Sequence, residues 1–381
     1  MRKLLDVTWA GLPAVLGVLG CSGAAGSPSA LPPSAPLAGS ASASDTSPVA
    51  AVDASAPEAS SGARQTASSA GSPAPLAAKT VDETAQASAA LAPAQLLRIR
   101  RVSQATRAER ETYLYLPKGY DAASNQRWPV LLFLHGNGER GDAKADLDYL
   151  LKNGPLYEAW IQKRDLPFII VAPQLPMYGM DEKAEYLKKR TRAEIPKRLE
   201  NGVPERPPEH STHDPMTGAL AEPLPTGATA YGPPKGWPEL ETDLIALLDE
   251  VLANYHGDPS RQYLSGVSYG GFGTWYLAGR HAQRFAAIVP VVGYGHPDSM
   301  PAIAEAKLPV WCFAGGRDAA VRAKYFYAGL NRLEQLGHEF RFTIEADMGH
   351  DVWTRVYAGN DVYDWMLAHR KVAGSARAVT P

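Results

Sequence analysis

The chain has 381 residues and a formal charge of −2, with 45% of its residues hydrophobic and 20% charged. That length could hold two or three average domains. The near-neutral balance, with no basic stripe, leaves no electrostatic footprint for nucleic acid, and after residue 25 no apolar run is long enough to span a bilayer.

The first segment reads as an export signal over 1–21. Arg2 and Lys3 give a positive start, Val7 to Leu19 is mostly apolar, and Val18-Leu19-Gly20-Cys21 resembles a bacterial lipobox in which Cys21 carries the lipid. Asp6 and Pro13 make the apolar stretch less than ideal, and an ordinary signal peptide that contains a Cys is the alternative. Residues 22–95 are mostly Ala, Ser, Pro and Gly, without a single aromatic residue. They lack the apolar surface that would offset the entropy of ordering them, so they read as a disordered tether. Behind a lipid anchor, such a tether lets a domain stand clear of the membrane. One large α/β domain with an insertion then fills 96–373, and 374–381 reads as a disordered tail. Cys21 and Cys312 are the only cysteines. Lipidation of Cys21 leaves no disulfide within the mature chain, and Cys312, in the apolar run 308–314, reads as a small buried residue.

Leu96 to Val102 and Glu111 to Leu116 largely alternate apolar and polar residues, as an antiparallel entry does. Trp128 to Leu134 and Leu166 to Ala172 are continuous apolar runs, the pattern of strands buried on both faces of a parallel sheet. About 174–237 is rich in Pro, Lys, Arg and Glu and has little periodicity. It predicts one short charged helix within 181–199 and an insertion that either lies over the active site or is surface filler. Glu239 to Ala253 places Leu240, Leu244, Leu247, Leu248 and Leu252 at helical spacing. Strands follow at Arg261–Ser265, Phe285–Val292, Leu308–Ala314 and Phe340–Ile344. Helices are predicted at Tyr269–His281, at Ala320–Leu336 with Gly337 as C′ residue, and at Val362–His369. The alternation predicts a doubly wound, mostly parallel sheet, whose chemistry belongs at the carboxyl ends of its strands.

Gly266-Val267-Ser268-Tyr269-Gly270 lies at such an end. A bare G-x-S-x-G is a common pattern; here it closes a strand and opens a helix, as a nucleophile elbow requires. Gly266 and Gly270 remove Cβ atoms where strand and helix cross. A serine hydroxyl needs a base to take its proton. His350 follows the strand at 340–344, and Asp318 follows the strand at 308–314, giving the chain order Ser, acid, His. Asp347 and Asp351 are weaker rivals for the acid. His135, His210, His213, His281, His296 and His338 are less well placed as base; His281 reads as a partner of a helix end, and His210-x-x-His213 alone is a poor metal signal. In Leu134-His135-Gly136-Asn137-Gly138-Glu139-Arg140-Gly141 a Gly-rich loop follows the first buried strand. The N–H of Asn137, with Gly138 as alternative, and that of Tyr269 are the expected oxyanion donors. Glu139 and Arg140 read as an ion pair that shapes the loop. Trp237, Trp275, Trp353 and Tyr178 either line an aromatic subsite or are packed, with packing favoured.

LHGNGERG, GVSYGGFGTW, GGRD and GHDVWTRVY with YDW soon after are similar in order and spacing to a bacterial α/β-hydrolase group. That group is described as predicted peptidases or phospholipase/carboxylesterase-like esterases, and is related to feruloyl esterases and polyhydroxybutyrate depolymerase-like proteins. The resemblance covers roughly 110–370. It departs over 173–237, where the group has a much shorter connection, and at Tyr269, where many relatives have Met. It implies a triad of Ser268, Asp318 and His350. The expectation is therefore a serine carboxylic-ester hydrolase of feruloyl, acetyl or polyester type that forms an acyl-enzyme on Ser268, needs no metal or cofactor, and is lipid-anchored outside the cytoplasm. A serine peptidase of the same fold is the alternative, and a non-catalytic surface-binding lipoprotein stands behind both. Oligomeric state is left open.

Overall fold

The structure is a computed structural model that describes residues 91–202, 211–213, 220–223 and 232–371. The predicted signal with Cys21, nearly all of the predicted tether, His210 and the predicted tail lie outside the described residues, as do the side chains of 211–213.

Strands β1 (Gln95–Val102) and β2 (Glu109–Leu116) form the antiparallel entry; β3 (Trp128–Leu134) and β4 (Ile169–Pro173) follow. The insertion holds α1 (Met180–Lys183), α2 (Glu185–Lys189) and β5 (Ser211–His213). Then come α3 (Glu241–Asn254), β6 (Gly257–Val267), α4 (Tyr269–His281), β7 (Ala287–Val291), α5 (Met300–Glu305) and β8 (Trp311–Gly315). The chain closes with α6 (Tyr327–Gln335), β9 (Arg341–Glu345), α7 (Trp353–Ala358) and α8 (Asp361–Leu367).

All strands join one sheet in the order β1-β2-β4-β3-β6-β7-β8-β9-β5. From β4 to β9 every pairing is parallel; β1, β2 and β5 pair antiparallel. The two-residue period of a strand sends its side chains to alternate faces. Val130, Leu132 and Leu134 of β3 join the core beneath α3, α4, α5 and α6, while Leu131 and Phe133 join the one beneath α7 and α8. Because both faces are covered, β3, β4 and β7 are apolar throughout, and each fully buried aliphatic side chain contributes about 1.5–3 kcal/mol. This is the α/β-hydrolase fold. Among the described residues no helix is long and apolar enough to cross a membrane.

Three local expectations shift. The charged helix expected within 181–199 is two short helices, α1 and α2, followed by a 3-10 turn at Arg192–Glu194. Gly179, at φ 73°, opens the first, and Ala184 is extended between the two. The strand expected from Leu166 begins at Ile169, after a turn in which Phe168 N–H donates to Leu166 O. The helix expected from Ala320 begins at Tyr327, because Arg322 is extended (ψ 141°) and a 3-10 turn at Ala323–Tyr325 precedes the helix. At its far end Gly337 (φ 70°) donates to Glu334 O, and His338 N–H donates to Leu333 O, the two bonds of a Schellman cap.

The chain runs from β3 one way to β4 and from β6 the other way to β7. Adjacent strands whose connections diverge leave a crevice at their carboxyl ends. Between β3 and β6 that crevice is bordered by Ser268 and the loop 135–141.

Candidate active site

Ser268 follows β6 directly and caps α4 with φ 51° and ψ −113°. A side chain in that region is strained by about 1–3 kcal/mol. The surroundings hold it there: its N–H donates to Val291 O at 2.9 Å, and its carbonyl accepts from Phe272 N–H at 3.0 Å. A Cβ on Gly270 would stand 1.8 Å from Leu134 O, and one on Gly266 would stand 2.4 Å from Gly270 O. Helix and strand approach this closely because those two positions have no side chain.

The structure brings Ser268, His350 and Asp318 together. His350 Nε2 lies 3.0 Å from Ser268 Oγ, and Nδ1 lies 2.7 Å from Asp318 Oδ2. The other oxygen, Asp318 Oδ1, accepts from Ala320 N–H at 2.8 Å and Val321 N–H at 2.9 Å, and the side chain is wholly buried. With Nδ1–H donated to the carboxylate, the lone pair of Nε2 faces the hydroxyl. Trp353 sets its ring edge-on against His350, 5.3 Å between centres, and donates Nε1–H to Asn153 Oδ1 at 3.1 Å. The rival carboxylate Asp347 is turned away: both its oxygens accept from Arg355, at 2.6 and 2.8 Å.

The loop after β3 lies against the elbow, since a Cβ on Gly136 would touch Val267. Asn137 opens a one-turn 3-10 helix. Its Oδ1 accepts from Arg140 Nε at 2.5 Å, and its Nδ2 donates to the hydroxyl of Tyr186 from α2. Tyr269 is the first residue of α4, where backbone N–H groups have no acceptor within the helix. Gly138 has open space where a Cβ would be, and its carbonyl accepts from Arg190 at 3.1 Å.

The expected Glu139–Arg140 ion pair does not form. Glu139 Oε1 accepts from Asn153 Nδ2 at 2.5 Å, and burial pushes its carboxyl above the ordinary range. Arg140 is fully buried on the other side of the turn, where it donates to Pro176 O at 2.8 Å and Lys235 O at 2.7 Å. Neighbouring side chains on one tight turn point apart.

The other histidines have separate duties. His135 is buried, accepts Leu175 N–H at Nε2 (2.8 Å) and faces Gly136 O through Nδ1 (2.5 Å), so it is the neutral Nδ1–H tautomer. Burial pushes its pKa down to about 3; the Gly136 carbonyl opposes this, and the charges of Arg140, Arg190 and Arg110 reinforce it. His281, at the end of α4, lies 2.8 Å from Glu241. His296 accepts the N–H of Asp298, and His338 bonds Leu308 O. Among the described residues no three His, Cys, Asp or Glu side chains cluster as a metal site would need. Trp237 and Trp275 are packed: Trp237 donates to His135 O and Trp275 to Gly293 O. Tyr178 is half-buried, its carbonyl accepting from Lys235 Nζ. Cys312 is buried and free, its thiol pushed up by burial.

Sequence reasoning missed the grip of the insertion on this loop. Tyr186 holds Asn137, and Arg190 donates to Gly138 O and Arg140 O, stands 3.0 Å from Asp146 and lies over the ring of Tyr149. The basic run from Lys188 to Arg192 was the one available signal, and it reads equally well as solvated surface.

A profile of the prolyl oligopeptidase family matches residues 239–304, the segment from α3 through the elbow to α5. No curated relative matches the chain. Among solved structures, a thermostable esterase aligns over 72% of this chain and 63% of its own, at 21% identity and a TM-score of 0.48. A feruloyl esterase module from Clostridium thermocellum aligns over 72% and 87%, at 15% identity and 0.43. An S-formylglutathione hydrolase from Staphylococcus aureus aligns over 72% and 97%, at 12% identity and 0.46.

Proposed function

We propose that this chain is a serine hydrolase that cleaves carboxylic esters through an acyl-enzyme on Ser268. One observation carries the reading: a strained elbow serine lies 3.0 Å from an imidazole whose other nitrogen lies 2.7 Å from a buried carboxylate. In this reading Ser268 Oγ attacks the ester carbonyl while its proton passes to His350 Nε2. Asp318 holds the tautomer and favours the imidazolium that results. The tetrahedral oxyanion is met by the N–H groups of Tyr269 and Asn137. It collapses with His350 returning the proton to the leaving alkoxide, so the alcohol departs and the acyl group stays on Ser268. Water, deprotonated by His350, then releases the acid and restores the serine. Every step uses groups of this chain, and no metal or cofactor is invoked.

The reading predicts that a fluorophosphonate probe labels Ser268 and that the protein hydrolyses short p-nitrophenyl esters. Ser268→Ala should lower turnover by at least about 10⁴-fold. A wild type that takes no label and is as inert as Ser268→Ala across a broad ester panel ends the reading.

A peptidase is the second reading, favoured by the prolyl oligopeptidase match. That match covers the elbow and its flanking elements, which serve amide and ester cleavage alike. Digestion of a peptide library separates the two. The same proposal places the protein outside the cytoplasm, anchored by a lipid on Cys21. Cys21→Ala should then move it from the membrane fraction to the soluble fraction.

A further inference from the structure

The Arg140 guanidinium is fully buried, yet no carboxylate among the described residues is in ion-pair contact with it. Two of its bonds go to the backbone carbonyls of Pro176 and Lys235, at the two ends of the insertion, and the third to the side chain of Asn137. Its carbon lies 4.8 Å from the centre of the Tyr269 ring. One cation therefore touches the side chains of both residues whose N–H groups are the expected oxyanion donors. A buried charge with only neutral partners is costly. Glu139, the adjacent acid, bonds Asn153 instead. The next cation, Arg190, reaches the carbonyl of Arg140 and is itself paired with Asp146, so it brings no carboxylate to Arg140. Burial lowers the pKa of Arg140, and the nearby tyrosines oppose that.

Resting on the ester-hydrolase reading, the geometry points to Arg140 as a positioning residue for the oxyanion: it yokes Asn137 to Tyr269 and leaves an unneutralised positive charge behind the two N–H donors. Such a charge favours the tetrahedral state, which carries a full negative charge on oxygen, over the neutral ground-state ester. Arg140 itself touches no substrate.

Two buried-stem variants separate charge from packing. Arg140→Met keeps most of the volume without the charge, and it leaves Asn137 Oδ1, Pro176 O and Lys235 O without their donor, so its melting temperature is read beside its activity. Arg140→Lys keeps the charge without the fork. With p-nitrophenyl acetate, Arg140→Met should lose about 30- to 100-fold in kcat with KM within about 3-fold of wild type. Its inhibition constant for a trifluoromethyl ketone, which mimics the tetrahedral state, should rise by the same factor. Arg140→Lys should stay within about 10-fold of wild-type kcat. In Arg140→Ala, millimolar guanidinium should restore turnover and urea, its neutral shape analogue, should not. The inference is overturned if Arg140→Met keeps wild-type kcat, or if Met and Lys variants lose activity equally in step with their melting temperatures. Wild type inert toward esters and fluorophosphonate would instead remove the hydrolase reading beneath it.

Discussion

Two loops face each other across the crevice between β3 and β6, and they are held in different ways. The elbow at Ser268 is fixed by backbone: a hydrogen bond to Val291 O, and two glycines whose Cβ atoms would collide with main chain. The loop 135–141 is fixed by side chains, its own and others brought from elsewhere. Arg110 donates to Gly141 O, Arg140 to Pro176 O and Lys235 O, Arg190 to Gly138 O, and Tyr186 accepts from Asn137. Backbone sterics tolerate no substitution, whereas a side-chain clamp can be loosened one contact at a time. The elbow serine is thus built into the sheet, and the loop opposite it is tuned by the insertion.

The strongest test of that contrast is Gly270→Ala. Its Cβ would sit 1.8 Å from Leu134 O, so β3 and α4 must separate. We expect a loss of more than about 3 kcal/mol, read as a fall in the urea midpoint, together with loss of fluorophosphonate labelling. A variant as stable as wild type would mean that the close crossing of strand and helix is not required.

Arg190→Ala should act on the other loop alone. It leaves the carbonyls of Gly138 and Arg140 without their cationic donor and Asp146 without its partner. The expected cost is about 2–3 kcal/mol, with the label still reacting at Ser268 but more slowly. Complete loss of labelling in a folded protein would show that the elbow depends on the clamp after all.

This division also explains what could be read from the chain beforehand. Several buried strands are continuous apolar runs, and Gly266 to Gly270 sits where a short strand gives way to a helical pattern, so the fold and the elbow were both legible. Asp318 and His350 were singled out because each lies a few residues past a predicted strand. The clamp was not, because an arginine donating to main-chain carbonyls leaves no periodic mark, and its partners lie 36 to 95 positions away for Arg140. The adjacency of Glu139 and Arg140 pointed to a pair that the tight turn keeps apart. Likewise the start of α6 was misplaced, because nothing in its pattern says that Arg322 is extended and that a 3-10 turn comes first.

His135 sits at the root of the clamped loop and gives it a pH signature. Its folded pKa of about 3 lies below the ordinary value of 6.5. Below pH 6.5 the unfolded chain binds a proton that the folded chain refuses, so stability is full above pH 6.5 and falls between there and about pH 3. At pH 5 this amounts to about 2 kcal/mol. Glu139, whose carboxyl is raised, works in the opposite direction, so the test is a difference: His135→Gln should lose less stability than wild type between pH 7 and pH 5. Equal losses in urea titrations would rule out His135 as the source.

The smallest expected effect is the most discriminating for the insertion. Tyr186→Phe removes the hydroxyl that meets Asn137 Nδ2; Tyr186 as a residue is 39% exposed, so water can reach the amide that is left. Arg140 still holds the other end of the same amide. A neutral, solvent-replaceable bond is worth at most about 1 kcal/mol, which predicts a loss of no more than about 5-fold in kcat and a melting temperature lowered by no more than about 2–4 °C. If Tyr186→Phe instead matches Arg140→Met, the restraint on Asn137 comes from α2 rather than from the buried cation. The insertion would then act on the oxyanion donor directly, and the loop's dependence on charge would have to be given up.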